Sequence, residues 1–311
     1  MSSLLDQVPS EMLLRLVCMA LLLAGRGETA IARADDSKNP RRSFNLTLEH
    51  DGLTRKYLLY VPASYDGKSK FPLLFNFHGF GGKVAGYLRA TDMRPLADEE
   101  NFLLVYPQGS PLNGFSHWNA ATPSRENKSD ADDIGFVKKM IASISADYKV
   151  DPKRIYACGY SNGAFFSYYL GCCLSERIAA IGSVSGTMLE ESYKNGKPSR
   201  RVPMINLHGT ADSVVPYDGK NGLTPIPKVL SFWALQNETR TQPGTTNFKS
   251  GRTKVRRLVY SDAKGTAWIE HYRVKGGGHV WFDLDLEGSD ANRLIWNFLS
   301  GHDLDGPRRK R

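Results

Sequence analysis

The sequence predicts an α/β fold, with a mostly parallel, doubly wound sheet built as a single domain. Two observations carry this. Near-continuous apolar runs of strand length alternate along the chain with segments of helical periodicity, the pattern of a parallel sheet covered on both faces. No internal repeat or low-complexity segment interrupts the alternation. The 311 residues, 41% hydrophobic and 23% charged, match ordinary globular usage and exclude wholesale disorder or a collagen-like chain. An α/β domain can reach this length as one unit.

The first 34 residues are expected to be an address rather than structure. Leu16 to Gly25 is a ten-residue apolar run, too short to cross a bilayer but the length of a signal-peptide core. Ala32-Arg33-Ala34 supplies the small-x-small cleavage pattern, making Asp35 the first mature residue. Asp6 and Glu11 precede the run where basic residues belong, so residues 1–11 read as an over-extended gene start with Met12 as the true start. The protein is thus expected to be exported, extracellular or periplasmic, with no stable membrane anchor.

The catalytic domain is expected over 35–301. Phe44–Leu48 and Tyr57–Val61 form an antiparallel pair around an Asp51-Gly52 turn. Phe71–Phe77 (FPLLFNF) and Phe102–Tyr106 (FLLVY) read as strands buried on both faces. Met93–Glu100 makes a short helix between them. Asp133–Tyr148 carries apolar residues at helical spacing, with acids at its start. Asp151-Pro152 breaks the chain; strand Arg154–Cys158 and helix Ala164–Leu174 follow. Ile178–Val184, Val202–Leu207, Val255–Tyr260 and Trp268–Val274 supply further strands, and Asp290–Leu299 closes with a helix. Residues 302–311 read as a basic tail containing His302.

The strongest chemical signal is Gly159-Tyr160-Ser161-Asn162-Gly163, a G-x-S-x-G turn between a strand and a small-residue helix start. Such an elbow projects a nucleophilic serine above the sheet, and its glycines avoid collisions with the neighbouring strand and helix. The serine needs an acid and a histidine later in the chain. Asp212, on the loop after strand Val202–Leu207, is the candidate acid; Asp218 and Asp262 are its rivals. His279 lies beyond it, after Gly276-Gly277-Gly278, between the last strand and the last helix. His271 falls inside a strand pattern and reads as structural. An oxyanion would be met by the backbone N–H of Asn162 and by one from His78-Gly79-Phe80-Gly81-Gly82, with Phe80 as the donor.

Together HGFGG (78–82), VYPQG (105–109), Trp118-Asn119, DDIGFV (132–137), GYSNG (159–163), HGTAD…VPY (208–217) and GGGHVW (276–281) resemble the secreted polyhydroxybutyrate depolymerase-like esterases, including the feruloyl esterases of carbohydrate esterase family 1. The resemblance runs over about residues 44–299. It implies an α/β-hydrolase fold with Ser161 as nucleophile, Asp212 as acid and His279 as base. Two features depart from the family pattern: Trp281 is followed by Phe282 rather than proline, and no appended substrate-binding domain follows the catalytic unit.

Cys158, Cys172 and Cys173 suggest no disulfide framework. No metal-ligand spacing, P-loop or dinucleotide fingerprint is present, so no cofactor or metal is expected; Asp132 and Asp133 suit the first turn of a helix. The net charge of +9 is concentrated only at Arg308-Arg309-Lys310-Arg311, so nucleic acid is not an expected partner; acidic polymers or surfaces suit the balance better. Trp118 and Asn119 on the long 108–131 loop, and Trp281 beyond His279, are the expected substrate walls. The expected activity is that of a secreted serine carboxylic-ester hydrolase working through an acyl-enzyme. Its substrates would be hydroxyalkanoate, hydroxycinnamoyl or related esters, small or polymer-linked. The alternatives are a peptidase of the same fold and a catalytically silent polymer- or carbohydrate-binding protein.

Overall fold

The strands form because runs such as Phe71–Phe77 and Leu103–Pro107 are buried along their whole length, which only the middle of a covered sheet can satisfy. The computed structural model describes residues 42–122, 127–220 and 222–308; the expected signal peptide and the last three residues of the basic tail lie outside them. The described chain runs β1 (Ser43–His50), β2 (Leu53–Tyr60), β3 (Phe71–Phe77), α1 (Val84–Ala90), α2 (Arg94–Glu100), β4 (Leu103–Pro107), β5 (Ser110–Leu112), β6 (Phe115–His117), α3 (Asp133–Asp147), β7 (Val150–Tyr160), α4 (Asn162–Cys173) and β8 (Ala180–Val184). It continues through α5 (Glu190–Asn195), β9 (Met204–Gly209), α6 (Ile226–Gln236), β10 (Gly244–Ser250), β11 (Thr253–Ser261), β12 (Ala267–Val274), α7 (Ala291–Ser300), β13 (His302–Asp303) and β14 (Gly306–Pro307).

A 10-stranded sheet has the order β1-β2-β4-β3-β7-β8-β9-β12-β11-β10. From β4 to β12 every neighbouring pair is parallel, and antiparallel strands flank that block on both sides. Alternate residues of β3 enter opposite layers. Leu73, Phe75 and Phe77 join one core with α3, α4 and α6, while Leu74 joins another with α1, α2 and α7. Each such side chain contributes about 1.5–3 kcal/mol by leaving water, so the two layers fix both the sheet and its strand ends. No helix of the described residues is long and apolar enough to cross a membrane.

Several local expectations are corrected. Asp151-Pro152 does not interrupt the chain: β7 runs through it, and the pairing shifts from Phe71–Val150 to Leu73–Ile155, a bulge that holds the proline outside the regular ladder. His302 is no tail residue. It is buried, its Nδ1 lies 2.8 Å from the carbonyl of Phe298, and it belongs to the small β13–β14 pair. Asp133 does more than serve a helix start: buried, it pairs with Arg55 at 2.7 Å and accepts from the Asn119 N–H at 2.8 Å. Cys158, Cys172 and Cys173 are unpaired.

Candidate active site

Parallel strands deliver their C-terminal ends to one rim of the sheet, where open α/β folds carry their functional groups. Ser161 follows β7, Asp212 follows β9, and His279 follows β12. Ser161 adopts φ 53 and ψ −120, a left-handed conformation that costs a non-glycine residue about 1–3 kcal/mol. Its two flanking glycines make that turn possible. A Cβ on Gly159 would lie 2.5 Å from the Gly163 carbonyl, and one on Gly163 would lie 2.2 Å from the Phe77 carbonyl.

Ser161 Oγ and His279 Nε2 are 2.9 Å apart, and His279 Nδ1 is 2.8 Å from Asp212 Oδ2. A carboxylate only accepts, so Nδ1 carries the proton and Nε2 is left to accept from the serine hydroxyl. Asp212 is itself oriented, because its Oδ1 accepts the N–H groups of Val214 and Val215 at 2.9 and 2.8 Å. The arrangement can draw the serine proton onto the imidazole while the buried carboxylate holds the ring. Asp218 and Asp262 have other places. Asp262 accepts the indole N–H of Trp268 and turns its own loop, while Asp218 sits on the turn after Tyr217. His271 is buried beside the Tyr217 hydroxyl at 2.9 Å, and burial pushes it down to about 3.

The loop after β3 lies directly against the elbow: a Cβ on Gly79 would sit 3.2 Å from that of Ser161. His78 shapes this loop. Its Nε2 accepts from the Gly109 N–H at 2.9 Å, so its Nδ1 is the protonated nitrogen and donates to the Gly79 carbonyl at 2.7 Å. Burial pushes His78 down to about 4, in keeping with a ring that must stay neutral to accept at Nε2. Gly81 N–H donates to Ser116 O, Gly82 N–H to Gly79 O, and Ala164 and Phe165 N–H to Ser161 O. The backbone amides of Phe80 and Asn162 lie at the tips of these two turns.

Two of the three expected substrate walls, Trp118 and Asn119, are buried. Trp118 is 1% exposed and is consumed by packing against Phe77, His78 and Phe166. Its indole N–H donates to His78 O at 3.0 Å, and its backbone exchanges two hydrogen bonds with the Asn162 side chain. It therefore braces the elbow against the β3 loop. Asn119 is also buried and donates to the carbonyls of Ser129 and Ala131, closing its own loop. Trp281 packs edge-on to Tyr87 and donates to Asn292.

Three features went unread in the sequence. Phe115, 56% exposed, stacks on Phe80, 48% exposed, with ring centroids 5.6 Å apart. The Asn113-Gly114 hairpin that presents it, with φ 49 and 82, is a readable turn signal. Tyr160 donates its hydroxyl to the His279 carbonyl at 2.8 Å, and Ser185 donates to the Val280 carbonyl at 2.8 Å. Both tether the histidine loop to the strands beside it.

The profile of the phospholipase/carboxylesterase family matches residues 72–241. Among curated proteins, feruloyl esterase B of Piromyces equi is 28% identical over 256 residues, covering 80% of this chain and 46% of that protein. Poly(3-hydroxyalkanoate) depolymerase C of Paucimonas lemoignei is 26% identical over 249 residues, covering 71% of this chain and 57% of that protein. The chain thus spans about half the length of these relatives. Among solved structures, an acetyl xylan esterase from Aspergillus awamori superposes with a TM-score of 0.61 at 15% identity, covering 83% of this chain and 98% of that one. The fold is that of the α/β-hydrolases.

Proposed function

The chain belongs to the phospholipase/carboxylesterase family, and from that premise we propose that it is a serine carboxylic-ester hydrolase working through an acyl-enzyme. The observation that carries the reading is the relay from Ser161 through His279 to Asp212, at 2.9 and 2.8 Å. Ser161 attacks the ester carbonyl as His279 Nε2 takes its proton. The imidazolium, held by Asp212, then protonates the departing alcohol. Water enters, gives its proton to the same nitrogen and releases the acid. The tetrahedral oxyanion is met by the N–H groups of Phe80 and Asn162.

The exposed Phe80–Phe115 stack, which starts one residue after Gly79 on the loop set against Ser161, offers a flat apolar surface for the acyl group. It favours a planar hydroxycinnamoyl acid over an aliphatic hydroxyalkanoate. The names of the relatives, feruloyl esterase and polyhydroxyalkanoate depolymerase, span the same two substrates. Export rests on residues 1–34 alone. The test is a panel of p-nitrophenyl acetate, methyl ferulate and a hydroxybutyrate oligomer. We expect hydrolysis of the first two, and a loss of at least about 10³-fold in kcat for Ser161→Ala with unchanged Tm. A variant keeping more than a few per cent of the activity overturns the nucleophile; a wild type inert on all three esters overturns the function.

A further inference from the structure

Beyond the catalytic relay, the described residues hold a concentration of positive charge that the mechanism does not use. The hairpin of β10 and β11 and the end of β12 enclose a groove of about 760 Å³ lined by Lys249, Lys254, Arg256, Arg273 and Lys275. Strand register places these side chains on one face of the sheet. Lys249 stands opposite Lys254, and Val255 opposite Val274 puts Lys254 opposite Lys275; Arg256 stands opposite Arg273. Like charges directly across a ladder destabilise it. Among the described residues none of the five has a carboxylate within ion-pair distance to offset this. Arg257, on the opposite face of β11, is by contrast paired with Glu270. The acidic segment 283–287 packs Leu284 and Leu286 into the core shared with Val255 and Phe248, and its Asp285 N–H donates to Ser250 Oγ at 2.9 Å; none of its carboxylates is within ion-pair distance of the five cations.

An edge strand commonly carries lysine to discourage pairing with other chains. That accounts for Lys249 on β10, but not for Lys254, Arg256 and Arg273 on strands already paired on both sides. The groove also has a definite start. Its inner end is Thr210 and Lys275, where the two catalytic loops cross: the Ala211 N–H donates to Gly277 O and the Gly276 N–H to Thr210 Oγ1, both at 2.9 Å. From there the Lys275, Lys254 and Lys249 row leads outward, one strand at a time, at a spacing of about 4.8 Å. This is the scale of one sugar ring. The one aromatic ring among the residues lining the groove, Phe248, is half-buried against the core of Val255 and Val274, so the groove lacks the exposed rings of a surface that stacks nucleobases.

We propose that this groove binds the carboxylate-bearing polysaccharide on which the ester is carried, so that the preferred substrate is an acyl ester of a uronate-containing chain. The inference rests on the esterase reading, because the row begins at the loops of Asp212 and His279. It is tested with the triple variant Lys249→Gln/Lys254→Gln/Lys275→Gln, whose residues lie outside the relay. Wild type should bind polygalacturonate more tightly than neutral arabinoxylan, and added salt should weaken the binding. The variant should lose about tenfold in that affinity, with kcat/KM on p-nitrophenyl acetate unchanged. Equal binding of the two polysaccharides overturns the proposal. So does an unchanged affinity in the variant, or displacement of polygalacturonate by a DNA oligonucleotide at lower concentration. The binding arm needs no turnover, so an enzyme inert on p-nitrophenyl acetate would fail the esterase reading while still deciding this one.

Discussion

Asp212→Asn isolates what the carboxylate does for the relay. In the native site Asp212 Oδ1 is occupied by two backbone donors, the N–H groups of Val214 and Val215, and Oδ2 faces His279 Nδ1. An asparagine there has one orientation open to it. Its oxygen must stay on the two amides, since an NH₂ group cannot accept from them, and its NH₂ therefore points at Nδ1. Two donors cannot share a bond, so the imidazole moves its proton to Nε2. That nitrogen then donates to Ser161 Oγ, 2.9 Å away, instead of accepting from it. The hydroxyl loses its base while the geometry is kept. The same tautomer trap in a serine protease costs about 10⁴-fold in kcat, which at about 1.36 kcal/mol per tenfold corresponds to about 5.4 kcal/mol of transition-state stabilisation. Initial rates on p-nitrophenyl acetate at saturating substrate measure it, with Tm as a control for folding. A loss under tenfold refutes the reasoning. So does a comparable loss in Asp262→Asn, whose carboxylate serves Trp268 and its own turn.

Acid should destabilise the fold before the carboxylates titrate. His78 is pushed down to about 4 by burial, so between its unfolded value of about 6.5 and that value the unfolded chain binds more protons, and stability is lost as the pH falls. The loss should reach about 3 kcal/mol on going from pH 7 to 4, with His271 acting in the same direction; urea midpoints that stay flat over this range would contradict it. Trp118→Ala should cost about 3–5 kcal/mol and lower kcat through the displaced elbow, whereas Phe115→Ala should leave Tm nearly unchanged and raise KM for methyl ferulate alone. Equal effects of the two variants on Tm and KM would count against these separate roles. Gly163→Ala drives a Cβ to 2.2 Å from the Phe77 carbonyl and should give little soluble protein; a variant with wild-type Tm would show that the elbow can relax.

The central strands were legible because burial on both faces leaves them almost no polar positions: FPLLFNF, in which Asn76 is the one polar residue and is hydrogen-bonded to Tyr87, matches β3 residue for residue. β10 (GTTNFKS) was not, because it is an exposed edge with no apolar alternation. α6 was also missed, as IPKVLSFWALQ follows Pro225, carries Pro227 in its first turn and is apolar on most sides. The Ser161, Asp212 and His279 constellation could be read because each follows a strand end in the required order. Trp118 was misread because a long loop suggests exposure. Nothing local says that this loop folds back beneath the β3 turn, since its aromatic partners, Phe77 edge-on and Phe166 stacked, are remote in sequence.

The parallel pairing of β9 with β12 has a consequence for how the enzyme comes into being. Asp212 and His279 are 67 residues apart, and Ser161 and His279 are 118 apart, with α6 and the β10–β11 hairpin strung between the first two. Closing so long a loop must precede any reward from the contact. β3, β4, β7 and β8 can assemble without it, whereas β12 can dock only after β9 has an exposed edge to receive it. Catalytic competence is therefore a late event on the folding path. In a refolding experiment, recovered turnover should trail the recovery of strand and helix signal, and nascent chains shorter than about 280 residues should be silent however well folded their first half.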